Sequence, residues 1–172
     1  MGGVAGMNLC AYSMHFLGFS HLDWKVLSLG CGIGLTEIDF EPERITGVDI
    51  FDYSDKFKGK FIQHDITNVR EIIEEDSFDI VFCVDIIEHL EKADGYNLIK
   101  DADSIARKLV VFYTPIEWSN NEQAVDSWGY GNPALDHKSL WSPEDFQDKG
   151  YTTASPFPLH NSEGFLAAKK IG

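Results

Sequence analysis

The sequence predicts an α/β domain built on a mostly parallel sheet. Three observations carry that expectation. Val26–Leu29 is a short, mostly apolar run that passes directly into glycines at alternate positions, Gly30, Gly32 and Gly34, and then into the opening of a helix at Leu35–Ile38. A second run, Arg44–Ile50, closes on an acid, Asp49, 19 residues after Gly30. Further apolar runs follow, with polar or helical stretches between them, which is the alternation of βα units.

Taken in order, residues 1–7 are small and read as a flexible leader; they lack the basic start and long apolar core of a signal peptide. Asn8–Gly18 reads as a helix ended by glycine, with Leu9, Tyr12 and Phe16 on one stripe. That stripe serves either the core or a lid over a ligand pocket. After Leu29, a strand, a glycine turn and a helix N-terminus together predict free N–H groups converging on one spot, which suits a carboxylate or phosphate. A tight turn holding no ligand is the other reading. The helix that follows, Thr36–Phe40, is cut short by Glu41-Pro42, because the residue before proline disfavours helix. Asp49 tips the balance toward a ligand. A carboxylate at the end of the second strand of such a unit commonly accepts from both ribose hydroxyls of an adenosine ligand. The dinucleotide pattern G-x-G-x-x-G would need glycine where Leu35 stands, which argues against a nicotinamide-dependent oxidoreductase.

Lys60–His64 reads as a third strand, followed by Asp65-Ile66-Thr67. Asp65 either accepts from an adenine amino group or caps a helix over Asn68–Glu75; both can hold at once. Ser77–Val84 is the clearest buried strand and leads into Asp85-Ile86-Ile87-Glu88-His89-Leu90. In a parallel sheet these residues lie at the carboxyl edge, where open α/β sheets bind ligands. His89 is a candidate base there, or a structural hydrogen-bonder. Asn97–Arg107 reads as a helix with Ile99, Ala102, Ile105 and Ala106 inward, and Lys108–Thr114 as a fifth strand stopped by Pro115. Ile116–Asp136 has no periodicity, as expected of a functional or mobile loop. Its Trp118, Trp128 and Tyr130 either line a pocket or pin the loop. Ser142-Pro143-Glu144-Asp145 starts a helix that runs to Gly150. Tyr151–Leu159 and Gly164–Lys170 complete the strands, the last one antiparallel.

The whole chain sets further bounds. Its 172 residues support one domain with a good core, and no apolar run approaches the ~18 residues of a membrane span. The net charge of −14 opposes nucleic-acid binding, and the basic groups Lys56–Lys60 and Arg107-Lys108 read as solvated faces. Cys10, Cys31 and Cys83 are odd in number and far apart, as in a reduced cytoplasmic protein. The six histidines show no metal-ligand spacing, so no metal is expected.

From about Val26 to Lys170 the chain resembles the class I S-adenosylmethionine-dependent methyltransferases. The likeness rests on Leu-Ser-Leu-Gly-Cys-Gly-Ile-Gly, Ile-Thr-Gly-Val-Asp-Ile, His-Asp-Ile-Thr, Phe-Asp-Ile-Val-Phe-Cys-Val-Asp-Ile-Ile-Glu-His-Leu and His-Lys-Ser-Leu-Trp-Ser-Pro-Glu-Asp-Phe, in that order. The resemblance implies a single Rossmann-like, doubly wound domain. Its seven-stranded sheet would be mostly parallel with an antiparallel last strand and helices on both faces. It also implies S-adenosyl-L-methionine as cofactor. Gly30, Cys31, Gly32 and Gly34 would surround the methionine part, Asp49 would hold the ribose with Ile50 beside the adenine, Asp65 and Ile66 would meet the adenine edge, and Val84 would sit near the methionine end. His89, then His137, would serve an oxygen nucleophile as base. Two departures accompany the likeness: Ser28 stands where the family usually has an acid, and the first crossover helix is short. The expected acceptor is a small molecule, a metabolite, sugar or lipid-like compound. No nucleic-acid or membrane partner is expected, and a homodimer is the assembly to test. A non-catalytic methyltransferase-like scaffold is the alternative.

Overall fold

The computed structural model describes residues 23–34, 40–118, 130–159 and 162–172. The expected leader, the helix Asn8–Gly18, Cys10, residues 35–39 of the first crossover and Trp128 lie outside the described residues. Seven strands form one sheet: β1 (Val26–Leu29), β2 (Ile45–Asp49), β3 (Lys60–Gln63), β4 (Phe78–Val84), β5 (Ala106–Pro115), β6 (Thr152–Leu159) and β7 (Ser162–Lys170). Their spatial order is β3-β2-β1-β4-β5-β7-β6. The first five are parallel, while β7 runs antiparallel between β5 and β6. The expected sheet, with its reversed last strand, is therefore the one found.

β1 is central because it can be buried on both faces. All four of its residues are buried, and Val26 pairs with Ile45 of β2 on one side and Ile80 of β4 on the other. Alternate residues then feed two cores. Leu27, Leu29, Val81, Cys83, Val110 and Phe112 face one side; Val26, Ile80, Phe82, Leu109, Val111 and Tyr113 face the other. On the first side lie helix α1 (Lys92–Ile105) and the short helix α2 (Pro143–Gln147). Trp24, Phe40 and Phe57 join the core on the second side. The stripe Leu98, Ile99, Ala102 and Ile105 buries α1, and each of its large side chains contributes about 1.5–3 kcal/mol of apolar burial.

Several details differ from expectation, among them the end of α2 at Gln147 rather than Gly150. Helix α1 begins five residues earlier than Asn97, although Gly95 lies within it. That glycine is a close-approach site: a Cβ there would come within 2.3 Å of the Trp141 ring. The helix also stops at Ile105, before the expected Arg107. Its last carbonyls are met by the N–H groups of Asp76 and Ser77, so no glycine cap is needed before β5 begins. Downstream of β3, the expected helix Asn68–Glu75 is instead a kinked 3₁₀ stretch, Ile66–Glu71, with Asn68 at φ −116°. Its β-branched Ile66, Thr67 and Val69, with Ile72 and Ile73 directly after it, favour a regular helix poorly. Finally, Arg107 and Lys108, although half exposed as expected, both pair with Asp79 at 3.2 and 3.5 Å.

Candidate functional site

The strand order reverses between β1 and β4, so the crevice of this sheet opens at their carboxyl ends. On the β1 side stands the glycine turn. Gly30, Gly32 and Gly34 all take positive φ, which a side chain would strain. The Asp49 carboxylate, buried at the end of β2, is turned toward that turn: Oδ2 accepts from Gly32 N–H at 2.9 Å, and Oδ1 accepts from Phe51 N–H at 3.0 Å. Burial holds its carboxyl above the ordinary value, opposed by the N–H groups of Phe51, Gly32 and Ile50.

The expectation of free amides is corrected for four groups of this turn, while the helix N-terminus expected after it, at residues 35–39, lies outside the described residues. Gly30 and Cys31 donate to the Val48 carbonyl, Gly34 donates to Cys31, and Gly32 is taken by Asp49. The physical reason is that the turn folds back onto β2. What it offers a ligand is bare backbone at its three glycines and a carboxylate beside them, rather than open N–H groups at Gly30, Cys31, Gly32 and Gly34. Beside Asp49, Ile50 and Phe51 are 49% and 41% exposed, an apolar platform at the strand end. Tyr53, beneath them, accepts a hydrogen bond from Asn132 at 3.2 Å.

At the end of β3, the Asp65 carboxylate accepts from the Thr67 N–H and hydroxyl at 2.9 and 2.8 Å, so its capping role is realised. The Ile66 side chain is buried in the core and leaves only its backbone for the crevice. Val84 ends β4, half-buried, opposite Tyr113.

The other side of the crevice follows β4. Asp85 takes φ +48°, unusual for a residue with a side chain, and bends the chain into the 3₁₀ turn Ile87–His89. Ile86 closes over Gly30, where a Cβ would come within 2.2 Å of it. Glu88 is 2% exposed; its Oε2 accepts from the Thr114 hydroxyl at 2.9 Å. Burial, and then the neighbouring Asp85, push the Glu88 carboxyl up to about 8, and burial pushes Asp85 to about 7. His89 is driven the other way, to about 4, by burial and by His137. It is therefore neutral near pH 7. Its Nδ1 faces the Asp136 carbonyl at 3.3 Å, which assigns the ring proton to Nδ1 and leaves the Nε2 lone pair toward Glu88 Oε1, 4.0 Å away.

His137 arrives from 48 residues downstream, and its ring stands edge-on to His89 with centroids 4.9 Å apart. Burial lowers its basicity too. A strap sets this meeting. Lys138 and Ser139 donate their N–H groups to the Glu88 carbonyl at 2.8 and 3.0 Å. The Ser139 hydroxyl donates to Leu90, and Trp141 Nε1 donates to Ile87 at 3.2 Å. Trp141 is buried beneath Lys92, whose ammonium lies 3.9 Å from its ring. Trp118 stands edge-on to His137 at 6.3 Å, still 55% exposed.

A family model described as "Methyltransferase domain" matches residues 8–149. This chain belongs to that family. The resemblance read from the motifs is thereby borne out. A ubiquinone biosynthesis O-methyltransferase of Idiomarina loihiensis is 28% identical over 135 residues, covering 70% of this chain and 51% of that protein. The chain thus spans about half the length of that curated relative. Among solved structures, the magnesium protoporphyrin IX methyltransferase of Synechocystis, determined with bound SAM, superposes with a TM-score of 0.60 at 14% identity, covering 95% of this chain and 77% of that one. A SAM-dependent methyltransferase of Archaeoglobus fulgidus gives 0.58 at 16% identity, covering 84% and 85%. At such identities these two speak for the fold alone.

In this methyltransferase domain, the residues predicted from sequence fall into two groups. Gly30, Cys31, Gly32, Gly34, Asp49 and Ile50 gather at one strand end; His89 and His137 meet at another. Sequence reasoning placed Glu88 beside His89 at the sheet's edge and noted the segment that holds Ser139 and Trp141, but gave none of them, nor Thr114, a part in building the second group. The one available signal was an acid and a histidine in tandem, directly after the most apolar strand.

Proposed function

We propose that this domain transfers the sulfonium methyl of S-adenosylmethionine to an oxygen of a small-molecule acceptor. The observation that carries the reading is the Asp49 carboxylate, buried at the end of β2 and turned toward the glycine turn. It has remaining lone pairs for two ribose hydroxyls. The exposed Ile50 and Phe51 offer an apolar seat for the adenine, with Asp65 and the Ile66 backbone at its edge. Gly30, Cys31, Gly32, Gly34 and Val84 would border the methionine part. These residues fit the cofactor, which when bound supplies a methyl already activated by the positive sulfur.

The chain's own tasks are then alignment, water exclusion and handling one proton. His89 holds its Nδ1 proton on Asp136, so its Nε2 can take the acceptor's proton, with His137 beside it. The acidic charge of −14 supports a small acceptor over a nucleic acid. The O-methyltransferase relative supports oxygen as the nucleophile.

Calorimetric titration with S-adenosylmethionine tests the reading. Asp49→Asn should weaken binding about 10- to 100-fold, the loss of a charge-assisted hydrogen bond worth roughly 1.5–3 kcal/mol. Equal binding by the variant, or none by the parent at millimolar cofactor, overturns it. One observation favours a second reading, a non-catalytic relative: Ser28, buried in β1, stands where the resemblance leads one to expect an acid. Tight binding without transfer to phenolic, sugar or lipid hydroxyls would favour that alternative.

A further inference from the structure

We propose that Glu88, His89 and His137 form a binding site for one divalent transition ion, of the zinc and cobalt class. One ligand atom from each of the three lies within 4.8 Å of the others. Ligand atoms around such an ion sit about 2.1 Å from it and so about 3–3.5 Å apart, a closure of up to about 1.3–1.8 Å from the present spacing.

Geometry at the cluster favours an ion over a hydrogen bond. His89 places its proton on Nδ1 toward Asp136, so Nε2 turns a lone pair toward Glu88 Oε1 at 4.0 Å. At 4.0 Å the two atoms are too far apart for a hydrogen bond, and a cation between them would take a lone pair from each, in place of the proton that burial holds on Glu88. Glu88 is 2% exposed, and its nearest charged neighbour is a second carboxylate, Asp85. Buried carboxylates of this kind are paired or coordinate metals. Two imidazoles and one carboxylate suit zinc or cobalt better than magnesium or calcium, which prefer all-oxygen sites. The outer groups have the form of a metal site as well: the Asp136 carbonyl orients His89, and the Thr114 hydroxyl orients Glu88. Three protein donors leave open positions for an acceptor oxygen.

The site goes beyond the methyl-transfer reading. In the loaded protein the imidazole lone pair is committed to the ion. An acceptor hydroxyl in an open position would then lose its proton to water, its acidity raised by the metal.

Untagged protein is titrated with cobalt(II) without cofactor, read by visible ligand-field absorption and by equilibrium dialysis with elemental analysis. One cobalt per chain is expected, displaced by zinc and not by equimolar magnesium. His137→Ala should weaken binding by more than about 100-fold. Thr114→Val, which keeps all three donors, should weaken it about 10- to 100-fold. Circular dichroism identifies any variant that has lost its fold, and Thr114→Val then stands as the deciding variant. No binding by the parent at millimolar cobalt, or equal binding by the parent, His89→Ala and His137→Ala, overturns the site. Because the titration omits the cofactor, a chain that binds cobalt but not S-adenosylmethionine refutes methyl transfer and leaves the ion site standing.

Discussion

The turn after β1 and the segment after β4, which the strap at residues 137–141 holds, flank one crevice, and Ile86 of the second closes on Gly30 of the first. The first is made of backbone. Its bonds run between residues of two adjacent strands, and Asp49 supplies its charge. The second is made of side chains: two histidines, two carboxyls, a threonine, a serine and a tryptophan, drawn from three separated stretches. The turn depends on the end of the strand beside it, within one βα unit, while the strap depends on packing far from the crevice. One side should therefore tolerate damage elsewhere in the fold, and the other should not.

Removing the strap's anchor gives the largest expected effect. Trp141→Ala empties a buried site between Gly95, Phe146 and Tyr96 and should cost about 3–5 kcal/mol in urea unfolding. It should also release His137 while leaving nucleotide affinity at Asp49 nearly unchanged. An equal loss at both sides would erase the distinction drawn here.

A pH series sharpens the contrast more gently. The raised carboxyls of Glu88 and Asp85 bind protons more tightly folded than unfolded, so their contribution is full below the ordinary carboxyl value and is lost as pH rises toward 8. The lowered His89 acts oppositely, losing stability as pH falls from 6.5 toward 4. The two offset each other below pH 6.5. Between pH 6.5 and 8 only the carboxyls change, and the Tm of the metal-free protein should fall across that window. Glu88→Gln should flatten the slope, and an undiminished slope would place the titration elsewhere.

The smallest expected change is Lys92→Met. This ammonium pairs with Asp145 at 2.7 Å and lies over Trp141, yet the side chain is 37% exposed. A loss of about 1 kcal/mol or less is expected from urea unfolding, with the His89–His137 pair intact. A larger loss would make the lysine part of the anchor.

These differences explain what was legible beforehand. Gly30, Gly32, Gly34 and Asp49 lie in segments whose spacing is set by one βα unit, so local pattern sufficed to place them together. The sheet followed for the same reason, since each strand carried its own apolar run. His89 and His137 were readable as residue types but not as a pair, because their contact depends on hydrogen bonds from Lys138 and Ser139 to Glu88. The cluster of Glu88, His89 and His137 has the same origin: side chains assembled across 48 residues leave no short motif. The satisfied amides of the glycine turn were likewise invisible, since their partner, the Val48 carbonyl, belongs to another strand.

The reversed strand has a consequence for biosynthesis. β6 leaves the ribosome before β7 but reaches the sheet only through it, because β7 lies between β5 and β6. Until residue 170 is available, the outer border of β5 cannot be sealed, and its Leu109–Pro115 backbone stays open to any other strand in the cell. The nascent domain is thus open to mispairing along β5 until β7 has emerged.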